Sequence, residues 1–154
     1  MATVTIEIPC PPSKVLSVLQ DLPSYPTWCP FTPSAIGTLT PTSPITLSVQ
    51  FPGESLRTQT VIIQPSLPNE IIWTYTMFSP WILHAVRVQS VEEGVNPQTS
   101  TYTTHETMSG LLAPLVIALY GGKVKEGFAA VAAALKCECA KRFPPATTAS
   151  RQKR

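Results

Sequence analysis

Charged side chains are scarce in this chain of 154 residues: only 13% of positions are Asp, Glu, Lys or Arg, and the formal net charge is +2. That leaves neither the dense basic footprint of a nucleic-acid binder nor an acidic surface for a basic partner. Histidine is scarcer still. His84 and His105 fall on different predicted strands, without the carboxylate–histidine spacing of a zinc site, so no metal and no cofactor is expected. Long hydrophobic runs are missing too. Although 44% of residues are hydrophobic, no run reaches the roughly 20 residues that span a bilayer, so stable membrane insertion is not expected. The opening residues Met1-Ala2-Thr3-Val4-Thr5 carry no basic n-region and no h-region, which makes a cytoplasmic protein, monomeric or weakly homodimeric, the expectation. In that setting the four cysteines, at 10, 29, 137 and 139, do not read as a disulfide framework. Cys137 and Cys139 lie two apart on a predicted helix and point to different sides, so they cannot share one metal.

What the chain does have is one long amphipathic helix, predicted from about Lys123 to Arg142. Val124, Phe128, Val131, Leu135 and Cys139 recur every three or four residues, which places them on one stripe. Five alanines between Ala129 and Ala134 favour the helix and keep it slim. The apolar run Leu111–Tyr120 precedes it, and Gly121-Gly122 reads as an interruption between the two. Beyond about Pro144, a Pro/Thr/Ala/Ser-rich stretch ends in Arg151-Gln152-Lys153-Arg154. One domain over residues 1–143 followed by a flexible basic tail over 144–154 is the expected organisation.

Upstream, period-two alternation dominates. Val4, Ile6 and Ile8 share one face against Thr3, Thr5 and Glu7, a half-buried strand. Pro9-Cys10-Pro11-Pro12 stops it, and Ser13 is placed to cap a short helix over Lys14–Gln20. After Asp21-Leu22-Pro23-Ser24-Tyr25-Pro26 come strand-like segments near 34–39, 45–51, 57–64, 70–77, 81–92 and 99–108. The short Pro- and Gly-containing connections suit antiparallel neighbours and exclude parallel crossovers. Seven strands, two small early helices and one long late helix make an α+β protein.

Three stretches in that order resemble a known family. Ile8-Pro9-Cys10-Pro11-Pro12-Ser13-Lys14-Val15, leading to Asp21-Leu22-Pro23-Ser24-Tyr25-Pro26-Thr27-Trp28-Cys29-Pro30-Phe31, is similar to the opening of the SRPBCC or START-like superfamily. Ile71-Ile72-Trp73 matches its fifth strand. Glu106-Thr107-Met108-Ser109-Gly110-Leu111-Leu112-Ala113-Pro114-Leu115, then Gly127-Phe128 and Ala134-Leu135-Lys136, resembles its ending. The resemblance covers roughly residues 3–142 and implies the helix-grip fold: a curved seven-stranded antiparallel sheet wrapped around a long C-terminal helix, with two short helices after the first strand. Cys29 stands where that family usually has asparagine, and Val131-Ala132 where it often has Met-Asn. Members bind lipids, sterols, hormones or polyketides, and some cyclise or dehydrate them, so the resemblance implies an apolar cavity between sheet and helix and leaves the chemistry to individual side chains.

Strand parity then nominates the inward groups. With Trp73, Tyr75 and Met77 facing the cavity, Arg57, Gln59, Val61 and Ile63 join them from one neighbour and Leu83, Ala85, Arg87, Gln89 and Val91 from the other. The last strand adds Tyr102, Thr104, Glu106 and Met108. A buried Arg or Glu is costly unless paired, which predicts an Arg87–Glu106 ion pair. That pair is open to two readings: it merely satisfies buried charge, or Arg87 holds a ligand carbonyl or enolate while Glu106 or Tyr75 moves a proton. His84 has outward parity, yet a bend after Pro80-Trp81 would redirect it, and its near-neutral pKa keeps it with Arg87, Glu106 and Tyr75 as a catalytic candidate. Arg57, Gln59, Gln89 and Tyr102, with the aromatics Trp28, Trp73, Trp81 and Phe128, are the candidates for ligand contact. Cys29 lacks an activating neighbour and is not expected to act as a nucleophile. The resemblance and this inventory together imply two functions. One is a cofactor-independent cyclase, dehydratase or isomerase acting on a hydrophobic polyketide- or terpenoid-like intermediate; the other is a carrier for a lipophilic small molecule.

Overall fold

Seven strands in the order β1-β7-β6-β5-β4-β3-β2 form one antiparallel sheet in the computed structural model, which describes residues 2–145. The strands are β1 (Ala2–Ile8), β2 (Ser34–Gly37), β3 (Pro44–Val49), β4 (Arg57–Gln64), β5 (Glu70–Met77), β6 (Leu83–Glu93) and β7 (Ser100–Ser109). Helix α1 (Pro12–Gln20), a 3-10 turn at Leu22–Ser24 and the short α2 (Tyr25–Trp28) separate β1 from β2, and α3 (Ala113–Arg142) follows the sheet. This is the helix-grip arrangement. From β2 to β7 every neighbour in space is a neighbour in sequence. Only β1 must wait for β7, which it meets along Ala2↔Glu106 to Ile8↔Ser100. The tail beyond Pro145 lies outside the described residues.

The predicted stripe of α3 is what the sheet closes on. Val124, Phe128, Val131, Leu135 and Cys139 are all buried, and complete burial of side chains this size contributes about 1.5–3 kcal/mol each. Ile8, Ile45, Leu47, Val61, Val91 and Tyr102 meet them from the strands. Gly127 allows the closest approach, because a Cβ there would stand 2.3 Å from the Phe31 ring.

Two local expectations are corrected. Ser13 does not cap the first helix: α1 starts at Pro12, without a side-chain cap, and the Val15 N–H donates to the Pro11 carbonyl. Proline at the first helical position has its φ already set and no orphan N–H to satisfy, so no hydroxyl is needed. Gly121-Gly122 does not interrupt the last helix either. From Ala113 onward, the apolar run and the amphipathic stripe belong to one element of 30 residues. Glycine in a helix costs roughly 1 kcal/mol relative to alanine, which the packed turns beyond it outweigh.

Candidate functional site

Strand register brings the inward side chains into lateral rows. Trp73 of β5 lies opposite Arg87 of β6, which lies opposite Glu106 of β7. The next row toward the chain reversals is Tyr75, Ala85 and Met108. Above these rows, under the first half of α3, is a cavity of about 240 Å³. Its polar lining includes Arg57, Gln59, Tyr75 and Glu106; Met77, Leu83, Phe51, Val116 and Tyr120 supply apolar wall. A second hollow of about 320 Å³ adjoins it and shares Glu106, Met108 and Val124. Glu106 therefore borders both spaces.

The inner end is packed rather than hollow. Arg87 is 5% exposed. Its Nε donates to Thr104 Oγ1 at 3.1 Å and its Nη2 to Gln89 Oε1 at 3.4 Å. The guanidinium lies 4.1 Å over the Phe128 ring and 5.5 Å over Trp73. The Tyr102 hydroxyl donates to the same Gln89 oxygen at 2.8 Å, while Gln89 Nε2 is buried without a partner among the described residues. The expected Arg87–Glu106 ion pair is absent. The two residues are opposite in register, but Arg87 turns into an aromatic sandwich with neutral oxygen acceptors, an arrangement worth about 2 kcal/mol or more where water is excluded. Glu106 stays in the cavity wall. Burial pushes its carboxyl above the ordinary glutamate range, and the nearby Arg87 charge offsets only part of that.

The outer end is charged and wet. Arg57 Nη2 donates to Glu54 Oε2 at 2.6 Å and to the Tyr120 hydroxyl oxygen at 3.2 Å. Its guanidinium stacks 5.6 Å from Phe51 and 5.2 Å from Tyr120. Lys123 reaches the other oxygen of Glu54. The Lys123 hydrogen bond, then the charges of Lys123 and Arg57, hold Glu54 below the usual carboxylate range.

Of the nominated residues, Arg57, Gln59, Tyr75 and Glu106 thus meet at one cavity, whereas several others do not. Arg87, Gln89, Tyr102, Trp73 and Phe128 are buried at its inner end and do not line it. Their side chains satisfy one another first. His84 lies on the other face of the sheet, where Nδ1 is 2.9 Å from Thr76 Oγ1, because no bend reverses its strand parity. Trp28 donates Nε1 to Ser24 Oγ at 3.1 Å and packs edge-on against Tyr25. Trp81 is 81% exposed at the β5–β6 turn. Cys29 is buried, and that burial raises its thiol pKa, the opposite of activation. Sequence reasoning missed Tyr120 and Val116. Both extend the Val124–Phe128 stripe backwards at intervals of four, a signal hidden by reading Gly121-Gly122 as a break.

Comparison with known proteins agrees with this architecture. The structure superposes on the ZhuI aromatase/cyclase from Streptomyces sp. R1128 with a TM-score of 0.74 at 17% identity, covering 94% of this chain and 96% of that one. A START superfamily protein from Mycobacterium smegmatis aligns with a TM-score of 0.70 at 17% identity over 92% and 97% of the two chains. At these identities the likeness concerns the fold. Among curated protein sequences none matches this chain. The model of one family matches residues 1–139, and with nearly the whole chain covered, the protein belongs to the polyketide cyclase/dehydrase and lipid transport family.

Proposed function

We propose that the protein is a cofactor-independent cyclase, dehydratase or isomerase, acting on a hydrophobic polyketide- or terpenoid-like intermediate held between the sheet and α3. The observation that carries this reading is Glu106: a carboxyl in the wall of a mainly apolar cavity, with no ion-pair partner among the described residues and a pKa raised by burial. A structural carboxylate in such a place would be expected to be paired. A carboxyl whose pKa is shifted toward neutrality suits proton transfer to a carbonyl or hydroxyl and from an adjacent carbon. Tyr75, on the same cavity wall, carries a phenolic hydroxyl. Arg57 at the mouth would receive a carbonyl, enolate or carboxylate end, exchanging part of its bond to Glu54 for the ligand. Arg87 then acts as a positioning residue, its charge favouring the ionised form of Glu106 during turnover without touching the ligand.

The volume supports a compact or partly protruding ligand. About 240 Å³ is below the 300–1,000 Å³ of typical ligand sites. Met108 lines both this space and the adjoining hollow, as do Glu106 and Val124, and methionine side chains repack readily. The two spaces joined would have a volume within that range.

The alternative, a non-catalytic carrier, is favoured by the wall itself, in which Glu106 is the one carboxyl among mainly apolar groups. Incubating the protein with an extract of its own source and following both bound and altered compounds by mass spectrometry separates the two. Conversion by wild type but not by Glu106→Gln, with binding retained in both, supports catalysis. Identical capture by both proteins with nothing converted makes the cavity a carrier site.

A further inference from the structure

Helix α3 is apolar on two opposite sides. Its inner stripe, from Val124 to Cys139, is buried against the sheet. The opposite side carries Leu115, Leu119, Gly122, Ala129, Ala133 and Ala140, all exposed. At 3.6 residues per turn these six fall on one line along most of the helix. A solvated helix face is normally polar, yet Glu126 is the one charged residue on this line. A Cβ added at Gly122 would meet nothing within 4 Å, so no described part of the chain lies over it. Val116 and Tyr120, which line the cavity, belong to another side of the helix.

Two charges at this face are left unmatched. On its own helix Glu126 can reach only residues three or four positions away. In one direction those are Gly122 and Lys123, and Lys123 is held by Glu54. In the other they are Ala129 and Ala130. Lys136, on the flank of the same line, has Ala132, Ala133, Cys139 and Ala140 at those spacings. Neither Glu126 nor Lys136 forms an ion pair among the described residues. The two cannot meet each other within one copy, because ten positions of helix set them about 15 Å apart.

We propose that two copies of this chain pair through this face, antiparallel, with Glu126 of each helix beside Lys136 of the other. One register satisfies every position at once. When Glu126 is level with Lys136 of the second copy, Ala129 is level with Ala133 and Gly122 with Ala140, because all three pairs are centred on position 131. Small side chains then meet small ones along the middle of the contact, which lets the helix axes approach to the near end of the roughly 8–10 Å range. Leu119 reaches the last turn of the second copy, level with Phe143. Two-fold symmetry repeats each contact, so both unmatched charges of each copy find a partner. A parallel pair would instead set Glu126 against Glu126 and Lys136 against Lys136. The face is thus complementary to itself in one direction, which favours a second copy over a different protein. A bilayer is disfavoured, since it would have to take Glu126 out of water unpaired. From Leu119 to Phe143 the contact runs about 36 Å. A single helix pair with glycine and alanine at its centre lies at the small end of the roughly 1,200–2,000 Å² of stable interfaces, so the dimer is a weak one.

Sedimentation velocity of the full chain, from micromolar to near-millimolar concentration, tests this. The wild type should pass from monomer to dimer. Glu126→Lys should weaken association about tenfold, Lys136→Glu likewise, and the two combined should restore it. Ala133→Arg, at an exposed position, should weaken association at least as much with an unchanged circular dichroism spectrum. At this register Cys137 stands one position from the level of Glu126 in the second copy. Glu126→Cys should therefore cross-link two chains on mild oxidation with diamide, and should fail to do so once Cys137→Ser is added. Glu106→Gln should associate like the wild type, so the result does not depend on what the cavity does. A wild type that stays monomeric throughout overturns the proposal, and if that monomer sediments with phosphatidylcholine vesicles, lipid is the cover instead. A dimer that tolerates Ala133→Arg also overturns it, as does a charge-swapped double variant no better than either single one. Cross-linking of the wild type through Cys137 would make the pair parallel, which equally overturns it.

Discussion

Two arginines stand at opposite ends of one cavity, and their settings could hardly differ more. Arg87 is buried, sandwiched by Phe128 and Trp73, and held by the neutral oxygens of Thr104 and Gln89. Arg57 is half exposed, bonded to Glu54 and Tyr120, and shares its carboxylate with Lys123. Burial fixes the first in place, because any movement would strand a charge and two acceptors in a dry interior. Solvent leaves the second free to exchange partners, since water compensates whatever Glu54 gives up. A cation that cannot move shapes the site; one that can move is suited to meeting what enters it.

The sharpest way to break this contrast is to remove the buried member. Arg87→Ala should lower unfolding stability by about 3–5 kcal/mol, the range for losing one side of a buried polar network together with its packing. Arg87→Met, which refills the space between Phe128 and Trp73, should recover more than half of that loss in urea unfolding. Equal losses for both variants would mean that charge, rather than the aromatic sandwich, is what that position contributes.

Next in size is Glu106, in the cavity wall. Glu106→Gln should cut turnover of a converted compound by about 100-fold, the usual scale for a positioned acid–base group, while leaving the fold intact. A loss confined to thermal stability would turn Glu106 into a structural carboxyl. The same residue predicts a pH dependence. Its folded-state pKa is raised by burial, so the folded chain binds more protons than the unfolded one between the two values. Its stabilising contribution is complete below the ordinary glutamate pKa and is lost as pH rises through the folded value. Thermal midpoints recorded across that window should fall with rising pH in wild type, and the fall should be shallower in Glu106→Gln.

How far these settings could be read from sequence follows from the range of each interaction. Strand faces were legible because parity is local: once Trp73, Tyr75 and Met77 shared a face, register carried Arg57, Gln59 and Glu106 to it. The same reasoning placed Arg87 beside Glu106, and register agrees, yet the ion pair did not form. Which way a long side chain turns depends on Phe128 and Thr104, which lie 41 and 17 positions away along the chain, and no spacing rule encodes that choice. Trp81 shows the opposite failure. Its size and hydrophobicity suggested a cavity wall, but a residue on a chain reversal has only as much core to meet as the neighbouring segments provide, and the β7–α3 junction offers it backbone alone. Glycine was misread for a related reason: Gly121-Gly122 weakens a helix in isolation, whereas here flanking turns packed on the sheet decide the outcome.

The smallest predicted effect concerns Arg57 and tests whether the exposed cation is functional at all. Arg57→Gln should move the melting midpoint by no more than about 2 °C, because a solvated ion pair adds little to stability. Capture of an acidic hydrophobic compound should nevertheless weaken by about tenfold, and the salt dependence of that capture should shrink, as expected when a rim charge is lost. Tyr120→Phe serves as the control. It removes the oxygen that Arg57 also bonds but keeps the ring on which the guanidinium stacks, so affinity should drop only slightly. If Arg57→Gln instead destabilises the fold while leaving capture and its salt dependence unchanged, then both arginines are structural. The mobility allowed by solvent would in that case have no bearing on binding.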